Sequence, residues 1–219
     1  MKKIMFNDKY GLTKAVLEGR KTQTRRIITH PKTFHGKDVC GFYVCKRASD
    51  GVVTDVCMYD EDESFIDEGQ ILPKYEIGEI VAVAQNYTAC GGFMDDGTPR
   101  WDYISCIVGS KNRGWSNKMF VKPELMPHQI KITNVRIERL QDISDDDCLA
   151  EGVELNTRQY KYDGTKYYCV RGLGHWRSFG CDNYKSPREA YAALIDKVGK
   201  KGDWESNPYV FVYDFELIK

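Results

Sequence analysis

The sequence predicts an α+β fold, a small mixed β-barrel with about three helices, and three observations carry that expectation. Strand-like segments succeed one another as hairpins and not in regular strand-helix-strand alternation. Tyr75 to Gln85 contains a run that is apolar on both faces, as a strand enclosed between neighbours must be. The chain closes on Pro208 to Ile218, where Tyr209, Phe211, Tyr213 and Phe215 alternate with Val210, Val212, Asp214 and Glu216 to give a strand with one aromatic face. Such a set favours a barrel over a doubly wound sheet. With 219 residues and 42% hydrophobic content, the chain suits a single domain over 1–219 that carries insertions.

Each element has its own local reason. Lys2 to Phe6 reads as a short strand. Tyr10, Leu12, Ala15, Val16 and Leu17 recur at helical spacing and Gly19 stops them, which predicts a helix over 9–18. Thr22 to Ile28 is rich in β-branched residues and reads as extended, so Lys21 falls at a helix-to-strand corner. Two alternating runs between Val39 and Met58 flank Ala48-Ser49-Asp50-Gly51, a hairpin signal, and an acidic loop follows. Asn86 to Arg113 reads as Gly-rich and irregular with Trp101 and Tyr103 as anchors, and Met119 to Val121 as a short strand.

Gln129 to Arg139 makes a strand through Ile130, Ile132, Val135 and Ile137, with a phase shift near Asn134 that marks a bulge or bend. Ser144 caps a short helix whose positive end suits Asp145, Asp146 and Asp147. Gly152 ends that helix and leaves Glu151 in its last turn, where an acid is electrostatically misplaced. Val153 to Lys185 is rich in Tyr and Gly, with strands expected near Tyr160 and Tyr167. Ser186-Pro187-Arg188-Glu189 is a capping box with proline at the first helical position, opening a helix through about Val198.

Composition narrows the function. The 32 basic and 32 acidic residues cancel, so a global attraction to polyanions is excluded and nucleic-acid binding has to come from a local patch. Lys14 to Arg26 is such a basic stretch, and Asp55 to Glu68 is an acidic one. The opening Met1 to Asp8 turns polar too early for a signal peptide and no run has the length of a membrane span, so a soluble cytoplasmic protein without a membrane partner is expected. The eight cysteines are read as reduced thiols. No pair has zinc-knuckle spacing, and neither they nor His30, His35, His128 and His175 argue for a metal; no cofactor is expected.

The most informative stretch is Gly19-Arg20-Lys21-Thr22-Gln23-Thr24-Arg25-Arg26, four cations and two threonines where a helix gives way to a strand. It can hold an anion or arm a nucleophile, and its plainer reading is a solvated turn with a basic rim. Tyr87, Trp101, Trp115 and Trp176 are candidates for stacking on bases, or else core and loop anchors.

In this order of elements the chain resembles the ASCH domain family, whose barrel is like that of the PUA RNA-binding domains. The resemblance rests on Gly19-Arg20-Lys21-Thr22-Gln23-Thr24-Arg25, on Tyr75 to Val83 as the Gly-Asp/Glu-x-Val barrel strand, and on Leu140 to Gly152 as the short helix ending in an acid. The chain looks like the larger phage and prophage members, which would make 30–70, 88–118 and 153–185 insertions in a PUA-like barrel. The resemblance implies a cleft for RNA or a modified nucleoside. Small bacterial members are amidohydrolases of N(4)-acetylcytidine, and matching their motif onto this chain implies catalytic roles for Lys21, Thr24 and Glu151. Arg25 stands where small members have an apolar residue, and Arg20, Arg25 and Arg26 are candidates for binding the substrate. In that chemistry Thr24 attacks the acyl carbon while Glu151 orients the Lys21 amine and passes a proton to the leaving nitrogen. The alternatives are a non-catalytic RNA-binding protein, an RNA-cleaving one, or an interaction protein that works through its insertions.

Overall fold

The computed structural model describes residues 1–218 apart from 50, 52, 95 and 175–181. Strand β1 (Lys2–Ile4) leads to helix α1 (Leu12–Leu17) and, round a tight corner, to β2 (Gln23–Ile27). A small hairpin of β3 (Thr33–Phe34) and β4 (Lys37–Asp38) precedes an antiparallel sheet of β5 (Gly41–Lys46), β6 (Val53–Tyr59) and β7 (Phe65–Gln70). Then come β8 (Ile80–Val83), α2 (Arg100–Val108), the long β9 (Gln129–Arg139), α3 (Asp145–Ala150), β10 (Glu154–Leu155), α4 (Thr157–Asp163) and β11 (Tyr168–Cys169). Helices α5 (Pro187–Val198) and α6 (Asp203–Ser206) lead into the last strand, β12 (Tyr209–Leu217).

The principal sheet runs β1-β8-β9-β12-β2, parallel at β1/β8 and antiparallel elsewhere. Val81, Ala82 and Val83 of β8 are fully buried between two neighbours, as their two-sided apolarity requires. Along β9 and β12 the register slips, Asp214 facing Asn134 but Phe215 facing Ile132, so the phase shift read near Asn134 is an extra residue, Thr133, in the ladder. The main core joins Ile4, Val81, Ile130, Ile132, Val210 and Val212 of the sheet to Leu12 and Val16 of α1, Cys148 of α3, and Tyr191 and Leu194 of α5.

The fold is mixed α+β, as expected. Among the described residues, however, no sheet closes into a barrel. The open edges are β1 and β2, and there Arg26 Nη2 donates to the carbonyl of Met5 at 2.8 Å, a single side-chain bridge where a closing ladder would have to run. The described residues hold six helices, several of one or two turns, where about three were expected. Helix α2 was hidden by the glycines around it, although Ile104 is fully buried beneath it. Tyr160, expected in a strand, lies in α4, where Asn156 O accepts from Tyr160 N at 3.0 Å. Lys118–Phe120 is a 3-10 turn capped by the Asn117 side chain, which corrects the strand expected at Met119 to Val121. The acidic stretch contains β7, paired to β6, rather than forming only a loop.

Elsewhere the local reading stands. Ser144 accepts from Asp147 N at 3.1 Å, and Ser186 accepts from Glu189 N at 3.2 Å, so both helix caps form. Strands β5 and β6 make the hairpin expected around Ser49 and Gly51; Asp50 lies outside the described residues. No helix among the described residues is long and apolar enough to cross a membrane.

Candidate functional site

Two helix ends meet at the basic corner. Arg20 N and Lys21 N donate to Ala15 O, at 2.9 and 3.0 Å, which satisfies a carbonyl at the end of α1; Thr22 N donates to Ala150 O at 2.9 Å and does the same for α3. Gly19 carries the positive φ of 70° that lets the chain reverse. Lys21 Nζ then donates to Glu151 O at 2.8 Å, to Glu151 Oε2 at 2.5 Å and to Gln23 O at 2.7 Å. The acid that was misplaced at the carboxyl end of α3 is thereby neutralised by an ammonium that also binds the helix's own terminal carbonyl. The two side chains are only 1% and 5% exposed. Burial pushes the Lys21 pKa below its ordinary value, and Glu151 opposes that fall.

Alternation along β2 sends its side chains to two faces. On the face under α3 and α5, Gln23 and Arg25 enter a network of carboxylates. Arg25 Nη2 meets Glu138 Oε1 at 2.5 Å and Asp147 Oδ2 at 3.2 Å, and Arg25 Nη1 meets Glu151 Oε1 at 3.4 Å. Gln23 Nε2 donates to Asp147 Oδ1 at 2.9 Å and to Asp214 Oδ1 at 2.6 Å, and Arg136 joins Asp214 at 2.5 Å. Burial alone would lower the Arg25 pKa, yet Glu151 and Glu138 carry it above its ordinary value. Burial works against the Asp147 charge as well, but the Gln23 hydrogen bond and the Arg25 and Arg136 charges hold its pKa below the usual carboxylate range. Beside them the buried Tyr191 hydroxyl is pushed far above its ordinary pKa by burial and by Glu151, and stays protonated.

Thr24 and Arg26 belong to the other face of β2, opposite Tyr213 and Phe211 of β12. A cleft of about 370 Å³ opens there between the two sheet edges. Lys3, Arg26 and Lys74 stand around it, Met5, Ile27 and Leu72 give it an apolar wall, and Tyr75 and Tyr213 line its depth. Tyr75 Oη donates to Lys3 O at 2.9 Å, and burial pushes its pKa up to about 12. Tyr213 Oη accepts from Lys74 N at 2.9 Å, which leaves its own proton free.

The structure therefore sorts the expected site residues. Lys21 and Glu151 are brought together. Thr24, 4% exposed, lies on the cleft face of the strand but is not among the residues lining the cleft, and among the described residues its hydroxyl makes no hydrogen bond to Lys21 or Glu151. Phe6 stands at this boundary: Lys21 Nζ is 5.7 Å and Arg26 Cζ 6.0 Å from its ring centre. Arg20 is tied to Glu18 at 2.7 Å and Glu154 at 3.4 Å, Arg25 is consumed by the buried network, and only Arg26 reaches the cleft.

Lys3 and Lys74 escaped sequence reasoning, since nothing local marks them. Of the aromatic candidates, Tyr87 is a core anchor whose ring meets Trp115 edge-on at 5.4 Å and whose hydroxyl accepts from Lys122 N. Trp101 is exposed on α2, and Trp176, like His175 and Cys181, lies outside the described residues. Among the described residues no three His, Cys, Asp or Glu side chains converge as a metal site would need. In comparisons with protein-family models, with curated proteins and with solved structures, no match to the chain was found.

Proposed function

We propose that the chain is an ASCH-type protein, a PUA-like barrel opened between β1 and β2, that binds RNA or a modified nucleoside in the cleft on the Thr24 face of β2. The observation that carries this reading is the lining of that cleft: three cations, an apolar wall and buried tyrosine hydroxyls, with no carboxylate among the lining residues. In a chain whose charges cancel, a cleft of one sign is a local device for attracting an anion or an electron-rich ring. Its volume falls at the small end of ligand sites, which span about 300–1,000 Å³. That suits one nucleoside unit and not a duplex.

Binding of a labelled single-stranded RNA and of acetylcytidine tests the proposal. Both are expected to bind at low salt, and Arg26→Ala to weaken them about tenfold, the worth of one charge-assisted contact. Absence of binding by either ligand would sink the reading.

The second reading, hydrolysis of the acetyl amide, is favoured by one observation: the Lys21 ammonium, which burial biases toward its neutral and basic form, touches the one acid of the set. Its test is release of acetate from acetylcytidine. Lys21→Ala would leave the buried Glu151 carboxylate with only its 3.4 Å contact to Arg25, so Thr24→Val is the cleaner variant. Loss of acetate release in Thr24→Val with binding retained supports a nucleophilic threonine, and no release by the unaltered protein leaves a binding module.

A further inference from the structure

Among the described residues the three cations of the cleft converge on one site without a counter-charge, unlike the paired cations of the folded chain. Lys2, Lys14, Arg20, Lys21, Arg25, Lys37, Lys118, Arg136 and Arg171 each lie within 4 Å of a carboxylate. Lys3, Arg26 and Lys74 have no such partner among the described residues, although the protein carries as many acids as bases. They also come from three separate stretches of chain: the first strand, the second strand, and the segment leading to β8. Each is held in place by something other than a counter-charge. Lys3 Nζ donates to Met119 O and Val121 O, both at 2.7 Å; Arg26 Nη2 donates to Met5 O at 2.8 Å; Lys74 Nζ stands 5.4 Å over the ring of its neighbour Tyr75.

Converging like charges repel, and that repulsion is legible here: the pKa of Lys3 is lowered first by burial and next by Lys74, which outweigh the opposing charge of Glu124. An arrangement that costs free energy when empty is relieved by an anion, and the donors still available suit a compact one. Lys3 keeps one N–H after its two carbonyl bonds, Lys74 keeps all three, Arg26 keeps four, and the Tyr213 hydroxyl keeps its proton. A neutral ribose or base calls for matched donors and acceptors, whereas this rim offers donors and positive charge. A phosphate monoester, doubly charged and with three acceptor oxygens, fits that set. Across from it, Met5, Ile27 and Leu72 give an apolar wall on which a base can lie, Leu72 being 73% exposed.

We infer that the cleft recognises a phosphorylated nucleotide, its phosphate monoester held by Lys3, Arg26 and Lys74 and its base resting on Met5, Ile27 and Leu72. This deepens, and rests on, the nucleoside-binding reading above. It names the phosphate as the group that distinguishes ligand from non-ligand, so a nucleoside 5′-monophosphate or the 5′-phosphorylated end of an RNA is favoured over the bare nucleoside.

The test is calorimetric titration of the full chain with cytidine, acetylcytidine, their 5′-monophosphates and inorganic phosphate. The monophosphates should bind at least about tenfold more tightly than the corresponding nucleosides, as expected for two or three charge-assisted bonds. Lys74→Ala, an exposed side chain with no hydrogen bond to lose, should reduce that preference to less than about threefold while leaving the unfolding temperature unchanged. Inorganic phosphate should compete with the monophosphates. Equal affinity for nucleoside and monophosphate would overturn this inference and leave the nucleoside-binding proposal standing. Failure of nucleosides, nucleotides and RNA alike to bind would overturn both. Displacement by a phosphoserine peptide at lower concentration than by any nucleotide would overturn the nucleotide as occupant.

Discussion

Lys21 shows how one side chain can resolve several local conflicts. Glu151 sits at the wrong end of a helix dipole, its own carbonyl just past α3 lacks a helical donor, and the β2 carbonyl of Gln23 faces inward; one ammonium binds all three. The same residue that the family resemblance marks as catalytic is thus also a tie between α3 and β2. Asp147, beside it, has a pKa depressed in the folded state, so its contribution to stability is present above its unfolded value of about 3.9 and is lost as pH falls through the lower folded value. Asp147→Asn is expected to be less stable than the parent at pH 7 and to approach it as pH falls below the ordinary carboxylate range, where the parent's carboxyl takes up its proton. Thermal midpoints followed from pH 7 downward check this, and two curves that stay parallel would refute it.

Elements succeed where local chemistry decides them. The caps at Ser144 and Ser186, the proline opening α5 and the alternation of β12 are all properties of a few adjacent residues, and all were legible before any contact was known. Loss of the Ser144 cap in Ser144→Ala should cost about 1 kcal/mol, read as a lowered urea midpoint at unchanged slope. A change below about 0.3 kcal/mol would mean that packing of Cys148 in the core alone holds α3. Elements failed where period and propensity conflict. Tyr160 and Tyr162 alternate as in a strand, yet the segment closes helical hydrogen bonds instead, Tyr160 N donating to Asn156 O and Gly164 N to Tyr160 O. Helix α2 lost its signature to flanking glycines and to a face that is mostly exposed.

On the scale of the whole molecule, neutrality decides how a polyanion can be bound. The cleft offers three unpaired cations, so the logarithm of affinity for single-stranded RNA should fall with the logarithm of salt concentration at a slope of about −2, near 0.7 for each phosphate neutralised. Anisotropy titrations from low to moderate salt measure it. A slope of about −5 or steeper would demand a footprint beyond the cleft, and a slope near zero would argue that no phosphate is engaged. Among the described residues no sheet closes into the barrel that hairpin succession led one to expect; the cleft lies by the open edges β1 and β2, where Arg26 donates to Met5 O.

The sequence by itself determined the α+β class, the corner at Lys21, the buried strand at Val81, the bulge near Asn134 and the acid-terminated helix, because each follows from spacing, capping and polarity within about a dozen residues. It also brought Lys21 and Glu151 together, but only through the family resemblance, since no local rule links residues 130 positions apart. Tertiary structure alone decided that Arg25 is buried among carboxylates while Arg26, one residue on, faces the cleft: a strand sends consecutive side chains to opposite faces, and only packing settles which face is covered by α3. It alone decided that Lys3 and Lys74 join Arg26, because the cleft is made by the approach of three segments distant along the chain, and a charge left without its counter-charge is a property of that approach.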